Sequence, residues 1–427
     1  MELNLDNRVL SGKIIPKPVH DDLIRYLVCA GLSSKETTIN NVLMNSEAKQ
    51  VVDIFSSLGA DIEIIPYEGI RKTLIVKSPI DIEGNKVDID LSGNVALLRY
   101  ISPILVLTKG DICFKYGEYE VKNPLIANYN LFFKHGFTQY QKDRNEYPVR
   151  IRASLDEYTF SIRNDVSKEY LSALMIVLAH VYRDVKVRIV GDLLYTHYIR
   201  RTIEIMKKFG IEVSNNGFQE FRITRGEERD VEVKVENDYK IAAVWLTSGA
   251  LGHKVMVKNL NIKSRQNDRK LLDIFKVIGI EVMANRKGDI IARPKKVRAF
   301  NIDITQVPDL FPYLAMIAAV ADGTSRFKNA TSIITRNIKV ANELVNVITS
   351  IGGDSFILGD DLIVKGRDIL KGGEVKNVHL HEVVFALCAA SRQTLSPVKI
   401  EVPNVIPAYY IEFYRDLERL GGSSLEK

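Results

Sequence analysis

The sequence predicts an α/β protein (α+β) built from six repeats of a βαβαβ type unit, arranged as two lobes with three repeats per lobe. Three observations support this prediction. A helix that ends in glycine and leads into a strand recurs six times, an apolar helix belongs to each repeat, and β-like runs separate the two helices. A period of about 70 residues along the whole chain is typical of an internal repeat.

The recurring helix ending is clearest at residues 206–213. Ile203, Met206 and Phe209 place apolar side chains three residues apart, as in an amphipathic helix. Gly210 follows, where a helix C′ residue adopts a left-handed conformation. The matching glycines are 69 to 77 residues apart along the chain, at Gly59, Gly136, Gly279, Gly352 and Gly421.

The other helix of each repeat is apolar on all sides, which is typical of a buried helix. At roughly 8 to 13 residues each, these segments are too short to cross a membrane. They begin at Leu23, Val95, Tyr170, Ile241, Leu310 and Val383. Strands are expected at 37–40, 187–190, 255–258 and 398–401, and hairpin turns at 287–289 and 359–361.

The composition is that of a globular protein, with 427 residues, 46% hydrophobic and 26% charged. The net charge of +6 comes from interspersed acids and bases, so we expect an anionic small-molecule partner, no nucleic acid and no membrane. Cys29, Cys113 and Cys388 lie in apolar segments and are expected to be buried thiols in a reducing cytosol. The N-terminal residues do not form a signal peptide, so a cytoplasmic location is expected.

The repeats also place the boundary between the lobes, because no linker rich in Gly, Ser or Pro divides the chain. Three glycine endings precede residue 214 and three follow residue 275. The charged run 224–230 is the favoured hinge. We expect residues 13–232 to form the first lobe and residues from 233 to 427 to belong to the second.

The starts of the six apolar helices are the expected place for chemistry, since their N termini can point toward a common cleft. Free N–H groups and the helix dipole favour an anion there by about 0.3–1 kcal/mol per helix. Asp, Asn and Ser are also common N-caps, so each single residue has a purely structural explanation as well. The residues at these starts are His20 and Asp21, Gly93 and Asn94, Ser167 and Lys168, Asn237 and Asp238, Pro308 and Asp309, and His381 and Glu382.

Six repeats in two lobes with these helix starts resemble the enolpyruvyl transferases, and among them EPSP synthase. The resemblance covers essentially the whole chain and is strongest from Gly191 to Tyr198 and in the helix that follows. It implies the two-lobed fold of that family, with residues 1–12 in the second lobe. It also implies transfer of the enolpyruvyl group of phosphoenolpyruvate to an acceptor hydroxyl, with release of phosphate.

Several positions match residues that bind the acceptor in that family: Arg25, Asn94, Arg99, Ser167, Tyr198 and Arg336. Arg336 replaces a lysine, which keeps the charge but not its geometry. Asp309 matches the aspartate that lies beside the acceptor hydroxyl and serves as base. We expect these residues around one space between the lobes, and we expect Arg25→Ala to abolish binding of an anionic acceptor with little change in stability.

The positions that match the phosphoenolpyruvate-binding residues are mostly substituted: His20, Asp21, Asn123, Glu169, Asn337, Val340, Glu382 and Asn404. Asp21 and Glu382 would repel this donor. Lys122 and Lys168 could approach it, but flexible lysines do not reproduce paired arginine contacts. We therefore expect phosphoenolpyruvate, with shikimate 3-phosphate present, to bind no tighter than millimolar, about −4 kcal/mol.

Three hypotheses about function follow. The first is a divergent EPSP-synthase-like carboxyvinyl transferase with an altered substrate or reaction. The second is a different reaction on an anionic cyclic substrate, in which Asp309 with His20 or His381 acts as acid and base. The third is a catalytically inactive family member that binds a ligand or partner.

The sequence indicates neither a cofactor nor a metal, because it has no nucleotide-binding motif and His379 and His381 alone do not form a metal site. The candidate catalytic residues are Asp309, His20 and His381. The candidate substrate-binding residues are Arg25, Asp21, Asn94, Arg99, Lys122, Ser167, Lys168, Tyr198 and Arg336.

Overall fold

The computed structural model describes residues 2–80, 87–90, 95–105, 112–115, 136–140, 149–153, 159–164, 166–193, 195–335, 338–401, 410, 412–422 and 425–426. The chain divides into two compact units. One consists of Met1–Lys17 and Glu236–Lys427 and is called the split unit here. The other, Pro18–Val235, is called the inserted unit.

Eleven α-helices lie in these described parts of the chain, numbered here in chain order. They are α1 His20–Leu32, α2 Ser46–Ser57, α3 Val95–Leu105, α4 Lys168–Val181, α5 Thr196–Lys208, α6 Tyr239–Ala250, α7 Lys270–Ile278, α8 Phe311–Ala318, α9 Val340–Ser350, α10 His381–Ala390 and α11 Phe413–Arg419. Within the described ranges, no helix combines the length and the apolar character that crossing a lipid bilayer requires.

The strands are numbered in the same way. They are β1 Glu2–Leu5, β2 Ser11–Ile14, β3 Thr37–Val42, β4 Asp61–Pro66, β5 Lys72–Ser78, β6 Val87–Asp90, β7 Ile112–Lys115, β8 Gly136–Tyr140, β9 Val149–Ala153, β10 Thr159–Arg163, β11 Asp184–Val190, β12 Ile211–Asn216, β13 Glu220–Arg225, β14 Val231–Lys234, β15 Lys254–Val257, β16 Glu281–Ala284, β17 Ile290–Arg293, β18 Asn301–Asp303, β19 Thr324–Lys328, β20 Ile334–Thr335, β21 Ile338–Lys339, β22 Asp354–Leu358, β23 Asp361–Lys365, β24 Gly373–Val375, β25 Val398–Glu401 and β26 Leu425–Glu426.

Five four-stranded sheets share one topology, in which a parallel pair is extended by two antiparallel pairings. The inserted unit has the orders β14-β3-β5-β4 and β10-β11-β13-β12. The split unit has β2-β15-β17-β16, β18-β19-β23-β22 and β24-β25-β1-β26. The remaining repeat contributes the parallel pair β6–β7 and the antiparallel pair β8–β9. The predicted repeats are therefore visible as recurring sheets.

The predicted glycine endings are confirmed where their helices are described. Gly210 has φ 76°, a left-handed conformation that a Cβ atom disfavours, and it lies directly between α5 and β12. Positive φ values recur at the equivalent glycines Gly59, Gly279, Gly352 and Gly421. Gly136 is the first residue of β8, and the segment just before it lies outside the described residues. The predicted hairpin turns are also confirmed, between β16 and β17 and between β22 and β23.

Strand pairing decides where the chain passes from one unit to the other. β2 pairs with β15, so residues 13–17 lie in the split unit and not in the first lobe, which was predicted to begin at residue 13. β14 pairs with β3, so the inserted unit extends to Val235. The charged run 224–230, favoured as the hinge, lies inside the inserted unit because it connects β13 to β14.

Each unit has its own core around three apolar helices that pack together. These helices are α1, α3 and α4 in the inserted unit, and α6, α8 and α10 in the split unit. Burying one large apolar side chain contributes about 1.5–3 kcal/mol, so the many buried residues of these helices dominate the stability of each unit. All six helices were predicted as buried from their composition.

Two of the three cysteines are buried thiols, as predicted. Cys29 lies in α1 and Cys388 in α10. Burial raises the pKa of Cys388 to about 12 and raises the pKa of Cys29 as well, so both thiols are protonated at neutral pH and are poor nucleophiles. The side chain of Cys113 lies outside the described residues.

His253 connects the N-terminal segment of the split unit to its helices. It follows α6, is 3% exposed, and its Nδ1 accepts a hydrogen bond from the Leu10 amide at 3.0 Å. Its Nε2 lies 3.5 Å from Ser391 Oγ. An imidazole nitrogen that accepts a hydrogen bond carries no proton. Burial, together with the charge of Arg392, lowers the pKa of His253 to about 4.

The stability that His253 contributes to the split unit should be lost between pH 6.5 and pH 4. Asp238, whose pKa is raised to about 6, acts in the opposite direction in the same unit, so the effect is measured as the difference between the wild type and His253→Gln. The pKa of His253 is about 4 in the folded state and about 6.5 when unfolded, so its contribution is complete above pH 6.5 and is lost as the pH falls. The shift corresponds to about 3 kcal/mol. Urea unfolding can be followed by the fluorescence of Trp245, the one tryptophan of the chain, which is buried in α6.

The matched comparison is His253→Gln, which should remove about 3 kcal/mol of the pH dependence. Parallel pH profiles for the wild type and His253→Gln would show that His253 is not the titrating group.

Candidate functional site

Arg25 of α1 is buried inside the inserted unit, with 1% of its surface exposed. Its Nε donates a hydrogen bond to Thr202 Oγ1 at 3.0 Å, and its Nη1 donates to Asp22 Oδ1 at 3.3 Å. The guanidinium carbon lies 4.0 Å from the centre of the Tyr198 ring and 5.8 Å from that of Tyr100, within the range of cation–π attraction. Burial lowers the pKa of Arg25, but the surrounding tyrosine and aspartate oxygens outweigh it and raise the pKa overall.

Asp22 joins two arginines and is itself buried, at 1% exposure. Its Oδ1 accepts from Arg25, and its Oδ2 accepts two hydrogen bonds from Arg201 of α5, from Nε at 3.0 Å and from Nη2 at 2.6 Å. Arg201 also donates to Glu204 at 3.2 Å. This pairing argues against the expectation that Arg25→Ala would change stability little, because removing Arg25 would leave Asp22 buried with one of its two partners missing.

Asp21 is the start of a chain of hydrogen bonds. Tyr198 Oη donates to Asp21 Oδ2 at 2.8 Å, and the Oη atoms of Tyr198 and Tyr100 are 2.6 Å apart. Since the Tyr198 proton is used toward Asp21, Tyr100 donates to Tyr198. Burial raises the pKa of Asp21, but the charges of Arg25 and Lys168 and this hydrogen bond lower it more, so the carboxyl is ionised at neutral pH. His20, the first residue of α1, contributes to the same lowering of the pKa.

The start of α4 lies beside this chain. Ser167 is the N-cap of α4, and its Oγ accepts from the Tyr170 amide at 3.1 Å, so the structural explanation of this serine holds. Lys168 Nζ lies 4.6 Å from the centre of the Tyr198 ring and 3.9 Å from Glu169 Oε1. Arg99 Nη1 of α3 lies 3.6 Å from Glu169 Oε2. The starts of α1, α3 and α4 thus bring their charged side chains together.

In the split unit, Asp309 lies in the 3₁₀ turn Pro308–Leu310 just before α8, and its side chain is 40% exposed. Its Oδ1 accepts a hydrogen bond from Lys240 Nζ at 3.0 Å. Burial lowers the pKa of Lys240, but the carboxylates of Asp309 and Glu382 raise it more, so the ammonium group stays charged. The starts of α6, α8 and α10 therefore also carry charges that act on one another.

The remaining helix starts of the split unit have mixed roles. Asp238 caps α6, since its Oδ1 accepts from the Lys240 amide at 2.7 Å. Burial raises the pKa of Asp238 to about 6, although that amide and the charge of Lys17 act in the opposite direction. His381 is the first residue of α10 and is buried, whereas His379 is exposed and lies 3.3 Å from Glu343 Oε2.

The structure thus brings together six of the predicted residues in the inserted unit, namely His20, Asp21, Arg25, Arg99, Lys168 and Tyr198, with Ser167 as a cap beside them. Asp309 and His381 lie at helix starts in the split unit. Asn94, Lys122 and Arg336 lie outside the described residues, and so do Asn123, Asn337 and Asn404.

Four residues of these clusters were not predicted from the sequence: Asp22, Tyr100, Arg201 and Lys240. Arg201 lies three residues after Tyr198, and residues three apart on a helix are neighbours on one face. The prediction of Tyr198 was therefore a signal that could have found Arg201. Tyr100 directly follows Arg99. Lys240 comes two residues after the N-cap Asp238, but nothing in its local sequence indicates that its partner is Asp309, 69 positions along the chain.

Comparison with known proteins identifies close matches over the whole chain. A family model described as EPSP synthase (3-phosphoshikimate 1-carboxyvinyltransferase) matches residues 9–417. The 3-phosphoshikimate 1-carboxyvinyltransferase of Clostridium novyi (strain NT) is 31% identical over 421 residues, which cover 97% of this chain and 96% of that protein. The protein of the same name from Clostridium acetobutylicum is 29% identical over 399 residues, covering 93% and 92%.

Solved structures show the same fold. EPSP synthase from Acinetobacter baumannii matches 100% of this chain and 99% of its own with a TM-score of 0.79 at 17% identity. The enolpyruvyl transferase NikO from Streptomyces tendae matches 99% of this chain and 97% of its own with a TM-score of 0.70 at 14% identity. The predicted α/β class with the two-lobed enolpyruvyl-transferase fold is confirmed. The chain belongs to the EPSP synthase (3-phosphoshikimate 1-carboxyvinyltransferase) family.

Proposed function

We propose that this chain is a divergent carboxyvinyl (enolpyruvyl) transferase that acts on an altered substrate or in an altered reaction. The observation that carries the proposal is the Asp309 carboxylate, which is solvent-accessible and held at 3.0 Å by the Lys240 ammonium group. An ionised carboxylate in a fixed position can accept the proton of an acceptor hydroxyl. The hydroxyl oxygen then takes the carboxyvinyl group of phosphoenolpyruvate, and inorganic phosphate leaves.

The curated relatives support the carboxyvinyl transfer, because their shared name describes this reaction with 3-phosphoshikimate as acceptor. Asp309 has the role of base in the proposal, and Lys240 keeps its carboxylate ionised and oriented. Arg99, Lys168 and Tyr198 contribute to the acceptor site in the inserted unit.

An altered substrate is supported by two carboxylates in the candidate acceptor site. Asp21, at the start of α1, is ionised. Glu169 lies 3.6 Å from Arg99 and 3.9 Å from Lys168 and pairs with both cations. A buried carboxylate beside a phosphate is unfavourable unless cations compensate both groups. The acceptor in the relatives' name carries a phosphate as well as a carboxylate, and negatively charged side chains disfavour both groups.

The Lys240–Asp309 pair also supports a second candidate function, a different acid–base reaction on an anionic cyclic substrate. In that reaction Asp309 would remove a proton, and His20 or His381 would be the partner acid or base. This candidate differs from the first in needing no phosphoenolpyruvate. A family member without turnover would bind a ligand in the same place.

Calorimetric titration with phosphoenolpyruvate in the presence of shikimate 3-phosphate tests the proposal. We expect binding no tighter than millimolar, about −4 kcal/mol, and no phosphate release at an enzymatic rate with this acceptor. A thermal-shift screen of pooled metabolites should reveal another ligand, since a ligand that binds the native state raises its stability. Mass spectrometry should then detect the carboxyvinyl product of that ligand.

Other outcomes separate the alternatives. Micromolar phosphoenolpyruvate binding with phosphate release from shikimate 3-phosphate mixtures would establish the plain EPSP synthase activity. A ligand that is converted without phosphoenolpyruvate would favour the second acid–base reaction. A ligand that binds and is never converted would indicate an inactive family member.

A further inference from the structure

The charged side chains at the helix starts of the inserted unit are paired with one another. We call this group the helix-start cluster: Asp21, Asp22, Arg25, Arg99, Lys168, Glu169, Tyr198 and Arg201. Three of its residues are carboxylates and four are cations, so the pairing of each cation decides what kind of ligand the cluster can accept.

Two of the four cations, the buried Arg25 and the partly buried Arg201, are paired with the same carboxylate. Arg25 is 1% exposed and bonds to Asp22, whose second oxygen receives two hydrogen bonds from Arg201. Both Arg201 N–H groups donate to the same oxygen, Asp22 Oδ2, and such charge-assisted hydrogen bonds are stronger than neutral ones. A ligand could take Arg201 away from Asp22 only by leaving a buried carboxylate poorly paired.

The other two cations share one carboxylate. Arg99 and Lys168 are 32% and 36% exposed at their side chains, and both lie within 4.0 Å of Glu169, whose side chain is 10% exposed. A phosphate group that drew both cations away would leave Glu169 largely buried without its charge partners, which is unfavourable. Lys168 also acts on the carboxyl of Asp21, so two cations, Arg99 and Lys168, face two carboxylates of the protein, Glu169 and Asp21.

Asp21 adds a fixed negative charge that a ligand would meet. It is partly exposed at the start of α1, and Tyr198 Oη holds its Oδ2 at 2.8 Å. An ionised carboxylate accepts hydrogen bonds and donates none. The hydroxyl groups of a ligand can donate to Asp21, whereas the oxygens of a phosphate monoester, which carries about −1.5 to −2 charge at pH 7, are repelled.

We infer that the helix-start cluster binds a hydroxylated small molecule with at most one negative charge and rejects a phosphate monoester, with Asp21 and Glu169 as the specificity-determining residues. This inference rests on the proposed function, because it describes the acceptor of that reaction. It names the class of acceptor: a ring or chain polyol, such as a hydroxylated carboxylic acid without phosphate.

The first test compares one ring with and without its phosphate, using calorimetry on the full chain. Shikimate should bind at least about tenfold more tightly than shikimate 3-phosphate. Equal or tighter binding of the phosphorylated ring would overturn the inference. If neither ring binds, the test is made with inorganic phosphate alone. The wild type should then show no binding of inorganic phosphate at concentrations up to about 10 mM.

The second test removes the carboxylates. Asp21→Asn combined with Glu169→Gln, or Glu169→Gln alone if the double variant does not fold, should bind inorganic phosphate at least about tenfold more tightly than the wild type. The matched control, Asp53→Asn with Glu212→Gln, removes two charges from exposed positions of the same unit and should change phosphate binding little. Unchanged phosphate binding in the cluster variants would overturn the inference.

These results are independent of turnover. If no carboxyvinyl product forms with any acceptor, the proposed function fails, but the preference between the two rings and the response to inorganic phosphate still report on the cluster. If the product forms with a phosphorylated acceptor, the proposed transfer stands and the inference fails.

Discussion

Replacing Arg25 by alanine is expected to lower the free energy of unfolding of the inserted unit by about 3–5 kcal/mol. Asp22 would remain buried at 1% exposure with Arg201 as its remaining guanidinium partner, and Thr202 Oγ1 would lose the hydrogen bond from Arg25. Removal of the guanidinium beside the Tyr198 ring also leaves a cavity, which lowers the free energy of unfolding further. Hydrogen exchange in α1 and α5, together with urea unfolding followed by circular dichroism, measures the effect.

The matched control is Arg200→Ala in the same helix, α5. Arg200 is exposed and its guanidinium lies 4.8 Å from the Phe218 ring centre, so its removal should change stability by no more than about 0.5 kcal/mol. If Arg25→Ala behaves like this control, the pairing of Asp22 contributes little to the fold, and Arg25 would be available for a ligand.

Asp309→Asn is expected to lower the rate of carboxyvinyl transfer by about 10²–10⁴-fold, the usual contribution of a general base. Asparagine has the same size and can still accept the hydrogen bond from Lys240, but it cannot take a proton. The loss should appear in kcat and equally in kcat/KM, because the interaction is needed only in the transition state. Phosphate release and product mass measure it on the acceptor found by screening.

Two further variants give this prediction its controls. Asp322→Asn changes an exposed aspartate of the same unit that pairs with Lys296, and it should leave the rate unchanged within twofold or so. Lys240→Met should move the acid limb of the rate profile to higher pH, because an ammonium neighbour favours the ionised carboxylate. A full rate for Asp309→Asn would assign the base to another residue.

The repeat architecture was predictable because it depends on neighbours along the chain. The apolar helices α1, α4 and α6 were recognised by composition alone, since a helix without a polar face has to be buried. The glycine at Gly210 was recognised because only a residue without Cβ adopts its φ of 76° without strain. Both properties are local.

The boundaries of the units were less predictable. β2 and β14 each pair in parallel with a strand remote in sequence, β15 and β3, and the pairing places their residues in one unit or the other. The local sequence of residues 13–17 and of the run 224–230 does not indicate which unit either segment belongs to. Parallel pairing requires a long crossover, so the sequence near the boundary does not reveal it.

The candidate site shows the same division. Local patterns in the sequence identify the positions that start the apolar helices, and so place His20, Asp21, Ser167, Asp309 and His381 at helix N termini. The pairing of the charges follows from the three-dimensional fold: Arg25 and Arg201 share Asp22, Arg99 and Lys168 share Glu169, and Lys240 holds Asp309. The physical reason is that helix starts follow from local patterns, whereas the energy of two charges depends on their distance in space and on the burial around them.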